Sequence, residues 1–215
     1  MPFGLTNVPA TFQCVMNHIL KPFLRKFVMV FLDDVLIYSP DLATHLQHLR
    51  QVFQVLRHHK FYIKQSKCYF AQHQLHYLGH VISEHGVATD PTKIEAMQQC
   101  PVPSSVTELR GFLGLVGYYR RFVKNFGLIA KPLTNLLKKH QFLWNSAAQQ
   151  AFDSLKAAMS STPVLALPNF EELFVIETDA CDNGLGAVLM QHEQPVAFLS
   201  KALGDKHKYM SIYEK

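Results

Sequence analysis

Phe27-Val28-Met29-Val30-Phe31-Leu32-Asp33-Asp34-Val35-Leu36-Ile37-Tyr38 decides how the rest of the chain is read. Two apolar, β-branched runs flank an acidic pair, which predicts a short hairpin with both carboxylates at its tip. Most Asp-Asp pairs are solvated turns. Here, apolar strands on both sides leave the charges little freedom to separate, and Asn-Gly would make the turn without the repulsion. A divalent cation is the natural partner. Hard Mg²⁺ takes one or two protein carboxylates and fills its octahedron with water and phosphate oxygens, which points to phosphoryl or nucleotidyl transfer.

Upstream of this hairpin, Thr6 or Asn7 is placed to cap a helix with Pro9 in its first turn, running to about Lys21. Downstream, Leu42, Leu46, Leu49, Val52, Phe53 and Leu56 recur at three- and four-residue steps. They mark one buried face of a helix from Asp41 to about His59, with the intervening histidines turned to water. Phe61-Tyr62-Ile63 and Tyr77-Leu78-Gly79-His80-Val81-Ile82, with turn signals from Ser83 to Gly86, predict a further hairpin and close an α+β unit near residue 86.

Asp90-Pro91 starts another helix and Pro101-Val102-Pro103-Ser104 breaks it. Ser105-Val106-Thr107-Glu108 has capping-box spacing, the hydroxyl covering one free N–H and the carboxylate reaching back to another. The helix that follows buries Leu109, Phe112, Leu113, Val116 and Tyr119 and ends in the basic segment Arg120-Arg121-Phe122-Val123-Lys124. It also carries Gly111, Gly114 and Gly117, each costing about 1 kcal/mol relative to Ala in a helix interior. Such a stripe suits the close approach of another surface. Two surfaces fit: a tightly packed neighbouring helix, or the wide minor groove of an A-form-like duplex, with Tyr118 beside it and Arg120, Arg121 and Lys124 on phosphates. Helical sequence continues to about Ser160. Three strands then follow, over 173–179, 187–190 and 196–199, with a turn at Asn183-Gly184 and no covering helix, so their unpaired edges are an aggregation hazard.

The composition agrees with a folded chain. Of 215 residues, 48% are apolar and 17% charged, which excludes general disorder. No apolar run approaches the ~18 residues of a membrane-spanning helix, and the opening residues predict no secretory signal. Cys14, Cys68, Cys100 and Cys181 form no CxxC pair and read as reduced and mostly buried. Lys and Arg outnumber Asp and Glu eight to four in residues 1–86 and nine to four in 87–165, whereas the ratio is four to eight in 166–215. The basic body suits a polyanion such as nucleic acid, although a solvated basic face has the same composition. The histidines, including His73, His76 and His80, offer no closed ligand set for zinc and read as solvated or incidental.

With these residues in view, Phe31-Leu32-Asp33-Asp34 resembles the [YF]xDD hairpin of reverse transcriptases. Met1-Pro2-Phe3-Gly4-Leu5 to Pro9-Ala10-Thr11-Phe12-Gln13 is similar to the loop and helix preceding it in gypsy-type LTR retrotransposon polymerases. Tyr77-Leu78-Gly79-His80 resembles that family's primer-grip hairpin and Leu109 to Pro132 its thumb. Thr178-Asp179-Ala180 with Gly184-Leu185-Gly186-Ala187-Val188-Leu189 looks like the first two strands of a retroelement RNase H. The resemblance implies an α+β chain with three parts: a partial palm with the catalytic hairpin (1–86), a helical thumb and connection (87–165) and a truncated RNase H-like sheet (166–215). It also implies an RNA-directed DNA polymerase with RNase H in the complete Pol polyprotein.

By the same resemblance, Asp33 is a direct ligand of Mg²⁺, or Mn²⁺ in its place, and Asp34 its neighbour. Asp179 is the first RNase H carboxylate. Phe3 and Gly4 lie beside the incoming nucleotide, although many retroviral enzymes have Gln where Phe3 stands. Leu32 packs near the primer end, and Gly79 and His80 hold the primer terminus. Gly114, Tyr118, Arg120, Arg121 and Lys124 contact the duplex. The implied partners are an RNA/DNA template-primer and deoxynucleoside triphosphates, with no membrane. Glu177 reads as an outward strand residue, Asp182 as a turn residue, and Glu214 is not assigned to catalysis. The family uses a further palm Asp on an earlier strand, and no Asp precedes Asp33. The chain as it stands is therefore expected not to polymerise, and, with one of the four carboxylates the family's RNase H uses, not to hydrolyse. Beside this enzyme-fragment reading stand a non-catalytic nucleic-acid-binding remnant and a degenerate element copy.

Overall fold

Pro9, with its φ already fixed near the helical value, opens the first element of the computed structural model, which describes residues 7–204. The chain divides after Tyr77 into two compact units. In the first, α1 (Val8–Ile19) precedes the antiparallel hairpin β1 (Val28–Phe31) and β2 (Asp34–Ile37). Then come α2 (Leu42–His58) and the short strand β3 (Gln74–Tyr77). Met16, Ile19 and Leu20 from α1 and its end, Val28 from β1, and Val52 and Leu56 from α2 form the core. Burial of each such side chain contributes roughly 1.5–3 kcal/mol.

Several local expectations are corrected here. Asp34 is the first residue of β2, so the turn proper is Leu32-Asp33. Helix α2 is capped by Asp41, which accepts from the Thr44 N–H at 2.9 Å. Its buried stripe, however, reaches the core only at Val52 and Leu56, and Leu42 and Leu46 are exposed. Nor do all its histidines face water: His48 stacks on Phe27 at 3.6 Å between ring centroids, and Ser39 Oγ lies 2.8 Å from its Nδ1. Phe61-Tyr62-Ile63 is not a strand. Phe61 packs on the core while Tyr62 and Ile63 project from an irregular segment.

The second unit starts with the hairpin β4 (His80–Ser83) and β5 (Gly86–Thr89). The helices α3 (Pro91–Gln99), α4 (Val106–Tyr118), α5 (Phe126–Ile129), α6 (Lys131–Asn135) and α7 (Ser146–Ser160) follow. The antiparallel sheet β6 (Val175–Cys181), β7 (Gly184–Gln191) and β8 (Gln194–Ala202) ends it. Its core joins Leu109, Phe112 and Val116 of α4 to Leu133 of α6 and to Phe152, Leu155 and Met159 of α7. The Phe112 and Phe152 rings stand 4.6 Å apart.

The N-cap of α4 differs from a standard capping box. Ser105 Oγ accepts from the Glu108 N–H, but the Glu108 carboxylate takes the N–H of Ser104, one residue earlier than expected, at 2.7 Å. The sheet is also not bare of helices. Gly127 in α5 donates its N–H to Ser200 Oγ at 2.8 Å, and Phe198 packs on the helical core. Strand β6 remains almost wholly exposed. Cys14 and Cys181 are exposed and Cys68 and Cys100 half-buried, which corrects the expectation that the thiols are mostly buried. Among the described residues, no helix is long and apolar enough to cross a membrane.

One backbone bridge ties the hairpin to the chain leaving α7: the Val87 N–H donates to the Leu165 carbonyl at 2.8 Å and the Leu165 N–H to the Val87 carbonyl at 2.9 Å. Gly86 makes this approach possible, since its φ is +130° and a Cβ there would lie 2.1 Å from the Leu165 carbonyl oxygen. Gly86→Ala is therefore expected to destabilise the unit by about 2 kcal/mol or more, read as a lowered urea midpoint, whereas Ala at the uncrowded Gly111 leaves the midpoint unchanged or raises it.

Candidate functional site

Antiparallel pairing brings Phe31 opposite Asp34 and leaves a two-residue turn, Leu32-Asp33, at the hairpin tip. Leu32 has φ of +52°, a left-handed conformation that a side chain disfavours. It is held there from α1. The Leu32 N–H donates to Gln13 Oε1 at 2.5 Å, and Gln13 Nε2 donates to Asn17 Oδ1 at 2.8 Å and to the Val30 carbonyl at 3.3 Å. Gln13 had no role assigned from sequence. The signal available was a polar residue facing an apolar hairpin from an otherwise amphipathic helix.

Asp33 and Asp34 are both exposed at this tip, and Phe31 beside them is 52% exposed. Tyr77 approaches from β3 and its hydroxyl donates to the Asp34 main-chain carbonyl at 3.4 Å. Burial, and then the Asp34 charge, push the Tyr77 phenol up to about 12, so it stays a proton donor at neutral pH. The two adjacent carboxylates fit a hard cation that takes one or two protein oxygens and leaves the rest to water and phosphate. Among the described residues, no group of three His, Cys, Asp or Glu is placed to hold a metal ion. Phe3 and Gly4 lie outside the described residues.

In the second unit, the end of α4 meets the residues before β4. Tyr118 donates its hydroxyl to the Leu78 carbonyl at 2.7 Å and Tyr119 to the Gly79 carbonyl at 2.6 Å. Gly79 has φ of +69°, and a Cβ there would stand 3.2 Å from the Tyr119 hydroxyl. His80 stacks on Tyr118 at 5.3 Å and meets Tyr119 edge-on at 5.4 Å. Its Nδ1 is buried without a hydrogen-bond partner. His80 is thus not the solvated or incidental histidine expected. Burial, reinforced by the Arg121 charge and opposed by Asp90, holds its pKa down at about 4.

Beyond this contact α4 presents its glycines. A Cβ built at Gly111, Gly114 or Gly117 meets nothing within 4 Å, so the stripe is not explained by tight packing against a neighbouring helix. Tyr118, 54% exposed, continues this open side, and Arg120 and Lys124 are exposed after it. Arg121 lies over the Phe122 ring at 5.1 Å. On the separate sheet, Asp179 of β6 is exposed opposite Gly186, and Glu177 is exposed on the same strand. Asp182 stands in the β6–β7 turn. Glu214 lies outside the described residues.

Residues 1–82 match the family model for "Reverse transcriptase (RNA-dependent DNA polymerase)", and residues 144–215 match that for "RNase H-like domain found in reverse transcriptase". These families are in general dependent on divalent metal. Across its whole length the chain is 42% identical to the retrovirus-related Pol polyprotein from transposon 297 of Drosophila melanogaster, of which it covers 20%. It is 53% identical over 132 residues to the uncharacterized mitochondrial protein AtMg00860 of Arabidopsis thaliana, covering 60% of this chain and 84% of that one. In fold it is similar to the foamy viral protease-reverse transcriptase solved with double-stranded DNA, with a TM-score of 0.91, 23% identity, and coverage of all of this chain and 38% of that one. The chain thus spans about a fifth of the transposon polyprotein it matches.

Two expectations follow from the geometry. Gln13→Leu removes the acceptor for the Leu32 N–H and is expected to cost about 1–3 kcal/mol in the first unit, with hydrogen exchange at the Leu32 amide speeding up more than at Val52. Unchanged exchange at Leu32 would refute the clamp. As pH falls from the ordinary histidine value of 6.5 towards about 4, unfolded His80 takes up a proton before folded His80 does. Stability contributed by its neutral form is present above 6.5 and lost through that window. Urea midpoints measured across it are expected to slope less in His80→Phe than in the parent.

Proposed function

Because the chain belongs to the retrovirus-related Pol polyproteins of transposons, within their reverse transcriptase and RNase H-like region, we propose that it forms part of an RNA-directed DNA polymerase acting on a template-primer duplex. Residues 1–86 serve as the rear of the palm, 87–165 as thumb and connection, and 166–215 as the start of the RNase H-like part. In the complete protein Asp33 holds Mg²⁺, or Mn²⁺ in its place, directly, with Asp34 beside it. The ion, when bound, orients phosphate oxygens and neutralises charge that develops on them during nucleotidyl transfer. The chain's own residues supply position. Leu32 packs near the primer end, Phe3 and Gly4 lie beside the incoming deoxynucleoside triphosphate, and Gly79 and His80 keep the primer terminus in place mainly through backbone. Asp179 is the first RNase H carboxylate.

The observation that carries the duplex reading is the open glycine face of α4, followed by exposed cationic side chains. A helix without Cβ atoms on one side lies close to a shallow minor groove, with Gly114 and Tyr118 on the groove and Arg120, Arg121 and Lys124 reaching phosphates. The foamy viral neighbour was solved in complex with double-stranded DNA, which agrees with this partner. A non-catalytic binding role for the 215-residue polypeptide is favoured by a separate observation: among the described residues no third acidic group joins Asp33 and Asp34. Two-metal transfer uses a wider set of ligands than one adjacent pair.

The test sets stability against binding. Gly114→Leu is expected to raise helix stability by about 0.5–1 kcal/mol while weakening binding to a labelled template-primer duplex about tenfold or more, by fluorescence anisotropy. Replacing Arg120, Arg121 and Lys124 with Gln is expected to flatten the salt dependence of log K by about 2–3. Undiminished duplex affinity in Gly114→Leu would sink the groove assignment.

A further inference from the structure

Residues 42–83 hold no Asp or Glu, yet carry five Lys and Arg and seven His. Within the part of this acid-free stretch that lies in the first unit, the segment joining α2 to β3 displays two tyrosines almost completely: Tyr62 is 97% exposed and Tyr69 81%. Tyrosine normally buries most of its ring, so two rings this open have no folding role that packing explains. Each is nevertheless carried on an anchored backbone. Phe61, next to Tyr62, stands edge-on to Phe12 at 6.0 Å, and Phe70, next to Tyr69, stands edge-on to Phe53 at 6.2 Å. Phe61 packs on the first core, Phe70 is 43% exposed and rests on Phe53 at the surface, and the tyrosines beside them are open.

Between them the chain makes a single 3₁₀ turn over Gln65–Lys67, closed by Lys67 N–H to the Lys64 carbonyl at 2.9 Å and Cys68 N–H to the Gln65 carbonyl at 3.0 Å. The order Tyr62-x-Lys64-x-x-Lys67-x-Tyr69 puts a lysine two residues from each ring, and both lysines are exposed. Exposed aromatic planes interleaved with cations match unpaired nucleic acid, whose bases stack on rings and whose phosphates meet ammonium groups. A stacked duplex offers no free base faces, and the lack of any acidic residue leaves a basic protein partner nothing to pair with.

We propose that Tyr62, Lys64, Lys67 and Tyr69 form a contact surface for single-stranded nucleic acid, the tyrosines stacking bases and the lysines neutralising phosphates. This surface goes beyond the proposed function: it involves neither the Asp33-Asp34 pair nor the glycine face of α4. It stands even if those assignments fall.

The 215-residue protein is titrated with a labelled thymidine homo-oligomer and, in parallel, with a duplex of equal length. Tyr62→Ala/Tyr69→Ala is expected to weaken single-strand binding about tenfold or more, while Tyr62→Phe/Tyr69→Phe, which keeps both rings, stays within about twofold of the parent. Lys64→Gln/Lys67→Gln is expected to lower the salt slope for the single strand by about 1.4. Gly114→Leu should weaken the duplex and spare the single strand, so failure of the groove assignment is read separately. Unchanged urea midpoints establish that the tyrosine variants fold. The proposal is overturned by no single-strand affinity at low salt, by an unaffected alanine pair, or by phenylalanines that behave like alanines. It is equally overturned if sedimentation shows self-association of the parent that the alanine pair abolishes, which would assign the surface to a second copy of the chain.

Discussion

The side-chain amide of Gln13 governs the orientation of the acidic hairpin tip. A two-residue turn with leucine in a left-handed conformation has a backbone N–H that the strand ladder does not use, and Gln13 Oε1 accepts it. The other end of the same amide is committed to Val30 and Asn17, so the group has no freedom to swing away. Through this link the direction of Asp33 and Asp34 is inherited from α1, which is itself seated by Met16 and Ile19 in the first core. The backbone that carries two adjacent, mutually repelling carboxylates is thereby held by neutral groups.

In the second unit one helix serves two surfaces. Leu109, Phe112 and Val116 bury one side of α4 fully enough to offset the poor helix propensity of three glycines on the other. The glycine side is left open. At its end the Tyr118 and Tyr119 hydroxyls donate to the carbonyls of Leu78 and Gly79, which ties the residues before β4 to the helix. His80 is enclosed by those rings and kept neutral by burial. It contributes a flat neutral surface rather than a charge.

Much of this arrangement was legible in local sequence. Asp41, Asp90 and Ser105 mark helix starts because capping is a contact between residues two to three apart, and Pro9 because its φ is fixed locally; the expected cap of α1 is not made, since Asn7 forms no side-chain cap bond and Thr6 lies outside the described residues. The acidic pair between two β-branched runs announced a hairpin for the same reason. The readings that failed depended on distant partners. Leu42 and Leu46 continue a helical stripe that the core does not extend to meet. His48 is polar by type, yet Phe27 offers it a ring face. Phe61-Tyr62-Ile63 has strand composition, but only Phe61 finds a core to enter. Glu108 reaches Ser104 instead of Ser105, a choice between two N–H groups that spacing does not distinguish.

Residue order was enough to establish the succession of elements, the adjacency of Asp33 and Asp34, the acid-free stretch, and the family to which the motifs belong, since each is a property of neighbours along the chain. Folding in three dimensions was needed to establish that the glycine face of α4 is open, that Gln13 clamps Leu32, that His80 is enclosed by two tyrosines, and that Tyr62 and Tyr69 point outward. Burial and hydrogen bonding are settled by groups tens of residues apart in the chain, and periodicity along one segment carries no information about which of its faces another segment covers.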